Sequence, residues 1–140
     1  MGTLDLTDLP DGALLLVDSS PVIYYVEEHP KWEPRFRPVF EAPRGRFRLA
    51  ITTVAIAEVL TGPFKSGDEA LARRYRSVFE TWQQIEVDLE TAESAARLRA
   101  TLGLKLSDAI QAASALKINA AALVTHDRDF SRLRSLRVIS

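Results

Sequence analysis

The stretch ALLLVDSSPVIYY, Ala13 to Tyr25, decides the fold. Five apolar residues, Ala13 to Val17, run into Asp18, Ser19, Ser20 and Pro21. An apolar run this short, ended by polar residues, predicts a strand buried on both faces, as in a parallel sheet covered by helices. Ser20-Pro21 predicts a helix over 21–28, with serine as the cap and proline at the first helical position, where its missing N–H is no loss. On this reading Asp18 is not needed as a cap. It stands at the carboxyl end of a buried strand, where open α/β sheets bind their ligands.

Outward from that stretch, residues 1–12 read as a short polar lead-in ending in Pro10-Asp11-Gly12, turn chemistry ahead of the strand. Residues 13–140 read as a single domain. Between 29 and 48 the chain holds four prolines and six lysines and arginines, which predicts a basic loop with a helical turn at 39–41. Residues 48–51 read as a short extended entry to a helix over 53–60, closed by Thr61-Gly62-Pro63. Helices follow over 68–82, with Leu71, Tyr75, Val78, Phe79 and Trp82 on one stripe, over 91–102, stopped by Gly103, and over 107–117. Short strands are expected at 85–87 and 136–139, and AALVT, 121–125, repeats the buried-strand pattern. Strands alternating with helices give an α/β sandwich with a mainly parallel central sheet.

The totals exclude several chemistries. The 140 residues are enough to bury a core without staples. There is no cysteine, which rules out disulfides, thiolate metal sites and a cysteine nucleophile, and His29 and His126 are too few for a usual zinc cluster. No glycine-rich phosphate loop or nucleophile-elbow serine is present. The acidic start lacks the pattern of a signal peptide, and no apolar run approaches the ~20 residues of a membrane helix, so a cytoplasmic protein with no membrane contact is expected. Net charge is −1, from 18 basic and 19 acidic residues. That balance argues against a generic nucleic-acid binder, although acids committed to holding cations would leave a net basic remainder.

The acids are therefore the informative residues. Glu58 lies in TTVAIAEVL, a segment apolar nearly all round, where an unpaired carboxylate is costly unless chemistry requires it. Asp108 opens SDAIQAASALK; it reads equally as an N-cap with Gln111 completing a capping box, or, if Ser107 is the cap, as a side chain projecting from the first turn. Asp127 follows a buried strand just as Asp18 does, and neighbouring strand ends share one crevice. Asp129 follows two residues on, where aspartates after strands commonly close turns. His126 reads as a hydrogen-bonding turn residue rather than a general base. Acids without histidine or cysteine partners form a hard, all-oxygen donor set suited to Mg²⁺ or Mn²⁺, and carboxylate-held ions of this kind hydrolyse phosphodiesters.

With these residues in place, the chain resembles PIN-domain ribonucleases, and most of all the VapC-type toxins of toxin–antitoxin pairs. The resemblance rests on LLLVDSSPVIYYVE, TTVAIAEVLTGP, LKLSDAIQAASAL, ALVTHDRDF and LRVIS, which occur in the family's order. It implies a three-layer α/β/α sandwich. It places the family's acidic quartet on Asp18, Glu58, Asp108 and Asp127 as catalytic and metal-binding residues, with Asp129 at a further metal position and Ser19 and Thr125 as supporting polar residues. It also implies metal-dependent endoribonuclease action on RNA, a homodimer, and inhibition by a small antitoxin protein. Arg44, Arg46 and Arg48, in a segment with few acids, are then expected to contact RNA phosphates. The competing readings are a non-catalytic PIN-like module binding RNA or protein, and a phosphohydrolase of another α/β fold. The commonest form of the latter needs a second aspartate two residues after the first, where this chain has Ser20.

Overall fold

The computed structural model describes residues 2–140. Ala13–Val17 forms β1, buried along its whole length, at the centre of a five-stranded sheet. The other strands are β2 (Phe47–Thr52), β3 (Gln83–Ile85), β4 (Ala122–Val124) and β5 (Val138–Ile139), in the order β3-β2-β1-β4-β5. Every pairing is parallel. The helices are α1 (Ser19–Val26), α2 (Glu33–Phe40), α3 (Thr53–Ser66), α4 (Glu69–Phe79), α5 (Leu89–Leu102) and α6 (Leu106–Lys117).

Strand alternation sorts the core into two layers. Leu15 and Val17 of β1, with Ala122 and Val124 beside them on β4, face Val22, Phe36, Val59 and Tyr75 from α1 to α4. Leu14, Leu16, Ala50 and Leu123 face the other way, onto Ala112 and Ala115 of α6. Alanines on that face of α6 let it lie close to the sheet, and α5 packs outside it through Ala95, Ala109 and Ala113. The result is a three-layer α/β/α sandwich with both faces of a parallel sheet covered, which explains why its strands read as continuous apolar runs. Among the described residues, no helix is long and apolar enough to cross a membrane.

The topology reverses at β1. The chain moves outward through β2 and β3, then returns to add β4 and β5 on the opposite side. Between β1 and β4 the following segments therefore diverge and leave a crevice at the carboxyl ends. A backbone bond from Asp18 N–H to the Val124 carbonyl, 2.8 Å, holds the two strand ends together there.

Several local expectations are corrected. Helix α1 begins at Ser19, and Asp18 is its N-cap, accepting from the Ser19 N–H at 2.9 Å; Pro21 sits in the first turn, where it is still tolerated. The 29–48 segment contains a full helix, α2, despite Pro34 and Pro38. Pro34 lies in the first turn, where no N–H partner is required, while burial of Phe36 and Val39 and the Glu33–Arg37 pair outweigh the bond lost at Pro38. Residues 48–51 belong to a complete strand next to β1. Helix α3 continues through Gly62 and the buried Pro63 and ends only at Gly67, whose φ of 72° supplies the left-handed turn. The lead-in is not merely polar: Leu4, Leu6 and Leu9 are buried in the α1–α4 core, tied down by a bond from the Leu4 N–H to the Arg35 carbonyl at 3.0 Å.

Candidate metal centre

Four helical N-termini meet the carboxyl edge of the sheet. α1 and α3 start directly after β1 and β2. α6 ends in the short turn before β4, so its own start is at the same edge, and a 3-10 turn over Arg128–Arg132 begins just after β4. The partial positive charge at the α-helix starts favours carboxylates placed among them. Asp18 comes from the end of β1, Glu58 from the second turn of α3, Asp108 from the first turn of α6, and Asp127 and Asp129 from the segment after β4.

Asp18 is buried and held by three donors. Its Oδ1 accepts from the Ser19 N–H and from Gln111 Nε2 at 3.1 Å, and its Oδ2 accepts from Thr125 Oγ1 at 2.8 Å. Burial raises its proton affinity, the three donors oppose that, and the charge on Asp127 adds to the rise. A carboxylate offers about four lone-pair directions, so one remains open toward the crevice.

Asp108 is the unusual member. It is not a cap: Lys105 holds the cap position of α6, and the Asp108 side chain projects from the first turn, buried, with Oδ2 lacking any hydrogen-bond partner. Burial, then the charge on Asp127 and a proton shared with it, then Asp18 and Asp129, push its carboxyl up to about 7. Carboxylate oxygens of Asp108, Asp127 and Asp129 lie within 4.8 Å of one another. Asp127 in turn caps the 3-10 turn, accepting from the Asp129 N–H at 2.9 Å, while its own N–H donates to Thr125 Oγ1 at 3.0 Å. Acids crowded around the buried, orphaned oxygen of Asp108 repel one another. A hard divalent cation satisfies that oxygen and cancels the repulsion, so the donor set fits Mg²⁺ or Mn²⁺.

Glu58 differs from expectation in its surroundings. α3 is apolar along one side only, and Glu58 is on its exposed side rather than in the core. Its carboxyl is nonetheless raised, by partial desolvation first and then by the charge on Asp18, so it borders the same crevice. Ser19 contributes its backbone N–H to Asp18. Thr125, wholly buried, bridges Asp18 and Asp127 and is a structural hinge of the site.

Arg44, Arg46 and Arg48 are not with the acids. Phe47 and Arg48 pair with Ala13 and Leu14, at the amino end of the sheet, across its full depth from the crevice. Arg46 donates to the Leu6 carbonyl at 2.8 Å and pairs with Asp11, and Arg48 donates to the Gly12 carbonyl at 3.0 Å. Arg46 and Arg48 hold the N-terminal segment in place at that end of the sheet.

Two sets of residues escaped the sequence reading. Gln111 is fully buried and relays between Thr52 and Asp18: its Oε1 accepts from the Thr52 hydroxyl, while its amide nitrogen donates to Asp18. Thr52 in turn caps α3 by accepting from the Ala55 N–H at 3.0 Å. A lone glutamine among alanines was the available signal, but the capping-box pattern absorbed it. The second set surrounds His126, whose Nδ1 is hydrogen-bonded to the Tyr24 hydroxyl at 2.9 Å and whose ring sits 4.1 Å from that of Trp32. Burial, followed by Arg35, Arg128 and Lys31, lowers the His126 pKa, so the ring is neutral at physiological pH.

A family model described as PIN domain matches residues 15–136. Among solved structures, a toxin–antitoxin complex from Klebsiella pneumoniae superimposes with a TM-score of 0.73 at 26% identity, covering 90% of this chain and 96% of that one. VapBC2 from Rickettsia felis, bound to a DNA fragment from its promoter, gives 0.74 at 20% identity over 89% and 96%. VapC20 from Mycobacterium tuberculosis, described as a sarcin-ricin loop cleaving toxin, gives 0.70 at 15% identity over 84% and 93%. A comparison with curated protein sequences finds no significant match.

Proposed function

The chain belongs to the PIN-domain family, and from that premise we propose that it is a divalent-metal-dependent endoribonuclease, the toxin of a toxin–antitoxin pair. The observation that carries the proposal is Asp108: a buried carboxylate with an orphaned oxygen, in one cluster with Asp127 and Asp129. A module that only binds RNA or protein has no use for so costly an arrangement. Asp108, Asp127 and Asp129 would hold Mg²⁺ or Mn²⁺, with Asp18 fixed beside them by Thr125 and Gln111. Such an ion supplies Lewis acidity toward a phosphodiester and a nucleophile at neutral pH. Glu58, exposed and with raised proton affinity, would take the proton from attacking water at its carboxylate.

The toxin reading draws on the toxin–antitoxin complexes among the structural neighbours. By the same likeness a small antitoxin is the inhibitory partner, a homodimer the working form, and the cytoplasm the place of action. Residues 13–140 form the domain, with Leu4, Leu6 and Leu9 of the lead-in packed onto it.

Purified protein, free of antitoxin, incubated with a mixed RNA pool and Mg²⁺ or Mn²⁺ tests the proposal. Cleavage that EDTA abolishes and Asp127→Asn reduces at least ~100-fold, about 2.7 kcal/mol of transition-state stabilisation, is expected. Measurable metal binding with no cleavage of any RNA would favour the non-catalytic module.

A further inference from the structure

Beside the acids lies a patch that metal chemistry does not use. His126 stands between Thr125 and Asp127, next in the chain to a residue of the acidic cluster. Around it are Trp32 at 4.1 Å, Tyr24 at 5.5 Å and Phe36 at 5.7 Å between ring centroids. Phe36 is core, but Trp32, Tyr24 and His126 are only half-buried and form an aromatic surface. The turn presenting Trp32 is fixed, because His29 Nδ1 accepts from the backbone N–H groups of Lys31 and Trp32 at 3.2 and 3.1 Å. The Lys31 ammonium rests 4.8 Å from the Trp32 ring centroid, and Arg128, directly after Asp127, is exposed.

Trp32 and His126 stay partly open to solvent, with the cations of Lys31 and Arg128 close by. Aromatic faces take unstacked bases of any sequence, and flanking lysine and arginine take the phosphates on either side. We propose that Trp32 and His126 form a stacking platform for an unpaired base next to the scissile phosphate of single-stranded RNA, with Lys31 and Arg128 receiving the adjoining phosphates. Lys31 covers the Trp32 face in the free protein and leaves it for a phosphate when a base arrives. The proposal rests on the ribonuclease reading and adds the residues that would seat the base beside the cut, Trp32 and His126. It also relocates phosphate contact from Arg46 and Arg48 to the edge where the acids lie.

Tryptophan fluorescence tests this, since the chain has only Trp32 and Trp82. A short, uncleavable 2′-O-methyl oligoribonucleotide of mixed sequence is titrated into wild type, Trp32→Phe, Trp32→Ala, Trp82→Phe and Lys31→Ala, with cleavage of ordinary RNA measured in parallel. Quenching on binding should persist in Trp82→Phe and vanish in Trp32→Phe. Trp32→Ala should bind about tenfold more weakly with an unchanged salt slope, and Trp32→Phe should recover most of the loss. Lys31→Ala should lower the slope by about one unit or less. Trp32→Ala binding as tightly as a wild type that cleaves RNA would overturn the platform and leave the ribonuclease reading standing. Wild type that neither binds nor cleaves any RNA would overturn both. Unchanged RNA affinity in Trp32→Ala combined with loss of a protein partner would assign the patch to that partner instead.

Discussion

Asp108→Asn probes the strained heart of the site without touching its shape. The carboxyl of Asp108 is raised from 3.8 to about 7, mostly by burial and by Asp127. A folded-state value above the unfolded one means the folded chain binds this proton more tightly. Metal-free protein therefore keeps its full stability below about pH 4, and loses this contribution as pH rises through 7. A shift of that size corresponds to a ceiling of about 4 kcal/mol, which residual solvation of the site lowers. In EDTA at pH 8, Asp108→Asn should thus be more stable than wild type by ~1–3 kcal/mol, several degrees in Tm for a chain of this length. At pH 5 the difference should fall to less than half of that, and it should nearly vanish only below about pH 4. Saturating Mg²⁺ should reverse the order, since a ligand at about a thousand times its Kd adds about 4.1 kcal/mol to the protein that binds it. Urea or thermal unfolding at both pH values, with and without Mg²⁺, provides the measurement. An equal effect of the substitution at pH 5 and pH 8, or no gain in EDTA at pH 8, would refute the reasoning.

Other expectations follow from the same geometry. Glu58→Gln, at an exposed position, should leave stability within about 0.5 kcal/mol while slowing RNA cleavage at least ~100-fold; equal cleavage rates would remove Glu58 from the mechanism. Thr125→Val takes a donor from Asp18 and an acceptor from the Asp127 N–H, and should cost ~2–3 kcal/mol in urea unfolding. A loss under about 0.5 kcal/mol would contradict its bridging role. Arg46→Ala should destabilise the protein by ~1–2 kcal/mol through the lost bond to the Leu6 carbonyl, with no change in the salt dependence of RNA binding. A slope reduced by about one unit would mark Arg46 as a phosphate contact.

What the sequence revealed depended on whether one side chain's task could be read from its neighbours. β1 was legible because a strand covered on both faces must be apolar throughout, and Asp18 was legible because it ends that strand. The stripe through Tyr75 and Phe79 predicted α4 for the same reason, and both residues are buried. α2 was missed because prolines weigh heavily in a local reading, whereas burial of Phe36 and Val39 is a tertiary gain. β2 was shortened at both ends, because Phe47 becomes strand only by pairing with Ala13 of β1 and Thr52 by pairing with Ile85 of β3. Asp18 was denied the cap because Ser20-Pro21 offered a competing local signal, yet the same carboxylate serves both the helix and the crevice. Asp108 was balanced between two local accounts, and only the sheet order, which brings α6 against β1 and β4, separates them. Gln111 and the His126 cluster depend on contacts 93 and 102 residues apart along the chain, beyond the reach of any window.

The central claim is that these acids form one centre for divalent cations. Anomalous diffraction from crystals of the protein soaked in Mn²⁺ tests it most directly. The account predicts a manganese peak among the carboxylates of Asp108, Asp127 and Asp129, beside Asp18, and its loss in Asp127→Asn crystals treated alike. Manganese found only at other acids, such as Asp5 and Asp8, or no peak at saturating Mn²⁺, would contradict it.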